Sequence, residues 1–148
     1  KNPNNENYGM GCYGIFPDAL QLEEFLEKVH QTTNSPLRYS IGKTKKIKSV
    51  GIVGGSGSNF IDKAIKMNLD AFITADISYH NYHLTKNKIT LIDAGHFETE
   101  RFIIPSLTQI ITNDNQNEFN SIISSQIITN PVEYYPFAMK NTDNKIKL

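Results

Sequence analysis

Three short runs rich in apolar residues, Lys46–Val53, Ala71–Thr74 and Ile89–Ile92, each end in a loop made of Gly, Ser, Asp or His. Runs of this length suit strands and are too short for core helices. Between the first two, Asn59–Met67 places Phe60, Ile61, Ala64 and Ile65 on one side of a helix and Asp62 in its first turn, with Ser58 as the expected N-cap. Tyr79–Thr85, between the second and third, reads as loop or short helix. Strands alternating with helices predict an α/β layered domain, a mixed sheet flanked by helices. In sheets of this kind ligands gather at the carboxyl ends of the strands. That rule selects three loops together: Gly54-Gly55-Ser56-Gly57-Ser58, Asp76 to His80, and Asp93 to His96.

The remaining elements are read in the same way. Gly9, Gly11 and Gly14 punctuate Tyr8–Phe16 and predict a close-packed backbone beside a strand. Pro17–Gln31 reads as a helix, with Leu20, Leu22, Phe25, Leu26 and Val29 as its apolar stripe and His30 capping its last turn. Leu37–Ile41 is a short strand. A helix is expected from about Glu98 to Ile111, bent or restarted by Pro105. Asn113–Glu118 is a polar linker, Phe119–Ile128 favours neither helix nor strand, and Ile127–Pro131 is a closing strand. The core is expected around Phe25, Val53, Phe72, Ile73 and Leu91. All 148 residues fit one domain, with 1–8 and 137–148 as tails.

Composition narrows the function classes. The formal net charge is zero, so no global field attracts nucleic acid or an anionic membrane. Lys43, Lys45, Lys46 and Lys48 are a local basic cluster, read as the solvated approach to a strand. No apolar run approaches the ~20 residues of a membrane span, and no basic-then-apolar leader opens the chain. One cysteine, Cys12, permits no internal disulfide and has no partner histidine at a recognisable spacing, so it reads as a packed thiol. The expected compartment is the cytoplasm.

The chemistry concentrates in Leu91-Ile92-Asp93-Ala94-Gly95-His96-Phe97-Glu98-Thr99-Glu100. If strand turns to helix here, His96 and Glu100 stand one turn apart on one face. An imidazole and a carboxylate so placed can ligate one metal ion, or share a surface hydrogen bond. The loop Gly55, Ser56, Gly57 and Ser58 can cradle a phosphate at a helix N-terminus or serve as a tight turn; it lacks the Lys-Ser/Thr ending of a P-loop. Asp76, Tyr79, His80, Tyr82 and His83 can orient a ligand or cover a strand end.

Taken in order, Gly54–Ser58, Ile73-Thr74-Ala75-Asp76-Ile77-Ser78-Tyr79-His80 and Ile92–Glu100 resemble the C-terminal domain of the Nif-three-like dinuclear metal centre family, whose members often carry the label type 2 homologue of GTP cyclohydrolase I. Gly9–Gly14 and Thr129–Tyr134 resemble that family's glycine-rich segment and closing strand. The resemblance implies a two-domain protein with two divalent metal ions, Zn, Fe or Mn, between its halves. His96 and Glu100 match the metal ligands of the C-terminal half; Asp93, His80 and Asp76 become outer contacts to the ligands or substrate. The histidine pair and aspartate of the N-terminal half have no counterpart here, so the chain resembles half a family member, and its polar start reads as a cut linker. Ala75 and Phe97 depart from the glycine and the tyrosine or histidine common at those places. The resemblance further implies a hexameric ring, a small-molecule substrate, and hydrolase-like chemistry that this half alone would not perform. Two alternatives remain: a non-catalytic interaction or regulatory module, and a nucleotide-binding α/β domain using the Gly54–Ser58 loop.

Overall fold

The computed structural model describes residues 9–114 and 121–134. The chain divides into two compact units, Lys1–Arg101 and Phe102–Leu148. The first carries a five-stranded mixed sheet. Its strands are β1 (Cys12–Gln21), β2 (Arg38–Ser40), β3 (Lys46–Ile52), β4 (Ala71–Thr74) and β5 (Thr90–Asp93), in the order β1-β3-β4-β5-β2. The three central strands β3, β4 and β5 are parallel, while β1 and β2 are antiparallel edges. Helices α1 (Leu22–Thr33), α2 (Ile61–Lys66), α3 (Tyr79–Thr85) and α4 (His96–Glu100) connect or follow the strands. This is the α/β layered fold that the alternating pattern predicts.

Side chains alternate across the sheet because successive residues of a strand point to opposite faces. Ala71, Ile73 and Ile92 join Leu22, Phe25 and Val29 of α1 on one face. Phe72 and Leu91 join Ile61 and Ala64 of α2, with Val53 and Ile77, on the other. With both faces covered, every residue of β4 and β5 is buried, as parallel strands require. The expected core residues Phe25, Val53, Phe72, Ile73 and Leu91 are all buried. Asp70 ties β3 to the start of β4: one carboxylate oxygen accepts from the backbone N–H groups of Lys48 and Ser49 and from the Ser49 hydroxyl.

Several boundaries differ from the sequence expectation. Pro17–Gln21 are strand, and α1 begins only at Leu22. Leu20 pairs with Ile47, and the Leu22 N–H still donates to the Lys45 carbonyl, so pairing with β3 claims these residues before the helix does. Pro17 falls where the β1 register shifts between Ile15 and Leu20 on an edge strand, a place that tolerates a missing N–H. Ser58 is not an N-cap: it opens a 3₁₀ turn, Ser58–Phe60, that runs into α2, and neither start has a side-chain cap. His30 does serve the end of α1, its Nδ1–H donating to the Ser35 carbonyl at 2.7 Å, while Asn34 takes the left-handed C-cap at φ 54°.

The second unit holds α5 (Ile103–Asp114), none of whose residues is buried. The long helix expected from Glu98 is two helices, α4 and α5, separated by a turn at 101–102. Pro105 sits in the first turn of α5, where its absent N–H costs no helical bond. Thr108 and Ser124 share a hydroxyl hydrogen bond of 2.7 Å. The strand expected over Ile127–Pro131 is absent: residues 121–134 have no regular structure. A strand needs a ladder partner, and among the described residues the ladder ends with β1 to β5; the Val132 N–H instead donates to Asn130 Oδ1. The tails, and the linker from residue 115, fall outside the described residues. Among the described residues no helix is long and apolar enough to cross a membrane.

Candidate metal centre

The carboxyl ends of β3, β4 and β5 bring the three selected loops together. From β5 the chain passes through Gly95, at φ +82°, into α4. A Cβ at Gly95 would lie 2.1 Å from Glu98 Oε2 and 2.9 Å from Ser35 Oγ, so only glycine fits this entry into the helix. The turn sets His96 at the first position of α4, and Glu100 follows one turn later. His96 Nε2 and Glu100 Oε2 are 3.2 Å apart.

The opposite ring nitrogen is held by β4's loop. His96 Nδ1–H donates to Asp76 Oδ2 at 2.5 Å. Asp76 reaches it from a left-handed backbone conformation, φ 54°, which aspartate adopts more readily than most residues. The hydrogen bond to Asp76 raises the His96 pKa above its usual 6.5; partial burial opposes this and the Glu100 carboxylate adds to it. When the imidazole is neutral, a proton kept on Nδ1 leaves the Nε2 lone pair beside Glu100, the tautomer a metal ligand needs.

The β3 loop closes over the pair. Gly55, at φ +62°, passes so near that a Cβ there would lie 2.1 Å from Glu100 Oε1 and 3.1 Å from His96 Nε2. Thr99, between the two ligand candidates, fixes this approach: its hydroxyl accepts from the Gly55 N–H at 2.9 Å and donates back to the Gly95 carbonyl. Thr74 does the same for Gly57, accepting its N–H at 2.7 Å while donating to the Gly55 carbonyl at 2.8 Å. Two loop N–H groups are therefore already satisfied within the fold. That favours the tight-turn reading of Gly55-Ser56-Gly57-Ser58 over a phosphate cradle.

Asp93 and His80 have other positions. Asp93 is buried; it pairs with the Arg38 guanidinium and accepts from the Ile77 N–H at 3.1 Å and the Gly95 N–H at 3.2 Å. His80 is exposed on α3, its ring against Tyr79, which also packs on His83 at 4.7 Å. No hydrogen bond or ion pair among the described residues joins His80 to the His96 pair. Burial pushes the Tyr82 phenol up to about 12, helped by Asp93 and opposed by Arg38; it stays a neutral donor toward the Arg38 carbonyl. Arg38, Thr74 and Thr99 carry no sequence signal of their own, because their partners lie up to 55 residues away.

The donor set fits half a metal site. An imidazole nitrogen and a carboxylate oxygen converge, the ring is oriented from behind, and Gly55 passes too close to both for any residue with a Cβ. Among the described residues no three His, Cys, Asp or Glu side chains form a group that could hold an ion. A separate apolar groove of about 490 Å³, lined by Met10, Tyr13, Ile52, Phe60, Met67 and Phe72 among others, includes none of these residues.

Residues 2–131 match the family described as Duf34/NIF3 (NGG1p interacting factor 3). A relative named GTP cyclohydrolase 1 type 2 homolog in Staphylococcus epidermidis is 33% identical over 132 residues, covering 86% of this chain and 36% of the relative. One of the same name in Clostridium acetobutylicum is 39% identical over 94 residues, covering 62% of this chain and 35% of the relative. Among solved structures, Staphylococcus aureus protein SA1388 aligns with a TM-score of 0.76 at 30% identity, over 86% of this chain and 37% of that one. A Bacillus cereus protein related to NIF3 aligns at 0.67 and 25% identity, over 85% and 36%. The chain thus spans little more than a third of the length of these relatives.

Proposed function

Because this chain belongs to the Duf34/NIF3 family, we propose that it is the C-terminal metal-site domain of a longer hydrolase-like protein, contributing His96 and Glu100 to a dinuclear divalent-metal centre. The observation that carries the reading is the pair itself: His96 Nε2 stands 3.2 Å from Glu100 Oε2, with Nδ1 held by Asp76. With Asp76 holding the proton on the far nitrogen, His96 would meet an ion through a neutral, oriented ring. Glu100 presents a carboxylate that can ligate one ion or bridge two. Gly55 admits both ligands and closes one side of the site.

A bound pair of Zn, Fe or Mn ions would polarise a substrate oxygen and lower the pKa of a bound water. Two ligands are too few for such a centre, so the remaining ligands belong to the N-terminal half of the protein. The same reading takes the protein as a cytoplasmic homo-oligomer, a hexameric ring, acting on a small molecule. The cyclohydrolase name belongs to the relatives and does not identify that molecule.

Dialysis and elemental analysis of this chain beside the full-length protein test the proposal. The chain alone should lose its metal to dialysis and show no hydrolytic turnover, while the full-length protein retains metal. Tight one-to-one zinc retention by the chain alone would mean that it holds a complete site, contrary to the shared-site reading.

A further inference from the structure

Asp93 is 6% exposed, yet its carboxylate serves three separate pieces of chain. One oxygen takes the Arg38 guanidinium from edge strand β2 and the Ile77 N–H from the loop after β4. The other takes the Gly95 N–H at the entry to α4. Each backbone donor adjoins a residue of the candidate metal centre. Ile77 follows Asp76, which orients His96, and Gly95 precedes His96 itself. Both junctions use left-handed backbone: Asp76 at φ 54° and Gly95 at φ +82°. A buried charge with these partners fixes the spacing between the two loops more stiffly than either loop could alone.

Arg38 stands directly across from Asp93 in the β2–β5 register. Its side chain is 68% exposed where that of Asp93 is 7%, so the arginine carries the compensating charge to the surface while the carboxylate stays inside. The Tyr82 hydroxyl donates to the Arg38 carbonyl.

We infer that Asp93, clamped by Arg38, is a positioning residue that sets the Asp76–His96 geometry and thereby the metal affinity of the half-site. It touches neither the ion nor substrate; it acts through Asp76 and His96. The inference rests on the metal reading of His96 and Glu100 and extends it to a pair 55 residues apart in sequence. A simple staple between β2 and β5 would affect stability alone.

The test is Co(II) binding to the full-length protein, with affinity and the d–d absorption bands both read. Asp93→Asn keeps the shape and removes the charge. It should weaken Co(II) binding by about 10–100-fold, the range for groups that orient a ligand, and shift the d–d bands while the protein still folds. Arg38→Gln should act in the same direction, and Arg38→Lys should recover part of the loss. If Asp93→Asn does not fold, the exposed Arg38→Gln decides alone. Unchanged affinity and bands in the folded variants, with His96→Ala abolishing Co(II) binding, would overturn the inference and leave the metal reading standing. Unchanged Co(II) binding in His96→Ala would overturn both.

Discussion

The decisive contact at the scale of residues is the one between His96 and Asp76, and it has a consequence in pH. His96 binds its proton more tightly in the fold than its usual value of 6.5 because Asp76 accepts from Nδ1, against a smaller opposing effect of burial and with help from Glu100. A raised folded pKa means that this pair stabilises the metal-free protein below the unfolded value, and that the contribution is lost as pH rises through the raised value. Metal and proton compete for Nε2. Zinc affinity should therefore climb from about pH 6, through the usual histidine value, and level off only above the raised folded value. Calorimetric titration across pH checks this; an affinity independent of pH over that range would contradict it. The four-residue spacing of His96 and Glu100 is legible in sequence because a helix makes it a neighbour relation. The Asp76–His96 bond spans 20 residues, and Arg38–Asp93 spans 55. No local pattern reports such pairs; they exist only once β2, β4 and β5 are placed in one sheet.

Among the elements, the ends of β3, β4 and β5 were readable, as was the short helix over Tyr79–Thr85, while the starts of α1, α2 and α4 were not. β4 matches the apolar run Ala71–Thr74, since a strand buried on both faces must be apolar throughout. The segment Pro17–Gln21 misleads because Leu20 and Leu22 also fit a helical stripe, whereas Leu20 instead pairs with Ile47 across the sheet. Ser58 misleads because an N-cap preference is local, and the Gly57 N–H donates to Thr74 from the neighbouring strand, fixing the loop otherwise. The β3 loop carries a sharp prediction. Gly55→Ala places a Cβ 2.1 Å from Glu100 Oε1 on a backbone at φ +62°. The backbone strain alone should cost about 1–2 kcal/mol, and the carboxylate must move away from His96. A modestly lower melting temperature with a large loss of bound metal is the expected result for the full-length variant. A Gly55→Ala protein that retains its full metal content would show that the close approach is packing without function.

For the whole molecule, the His96–Glu100 pair and the core are separable. Leu91, Phe72 and Ile73 hold the sheet and its helices together, while the side chains of His96 and Glu100 are about half exposed at the strand ends. Removing a buried Leu91 side chain should cost about 2–5 kcal/mol, readable as a lowered denaturation midpoint; replacing His96 or Glu100 should cost far less. The first unit's layered α/β class was legible from alternating elements, but its edge strand β1, its strand order and the division of the chain at Arg101 and Phe102 were not. The apolar spacing of Ile103, Leu107, Ile110 and Ile111 describes a face without saying what covers it, and these residues are exposed. The most direct measurement is metal per protomer, by elemental analysis, in the full-length protein and its His96→Ala and Glu100→Ala variants, each beside a thermal melt. The account predicts that both variants lose bound metal while the melt moves little. Full metal content in both, or a His96→Ala protein that unfolds with its metal retained, would make these side chains structural and contradict the shared metal centre.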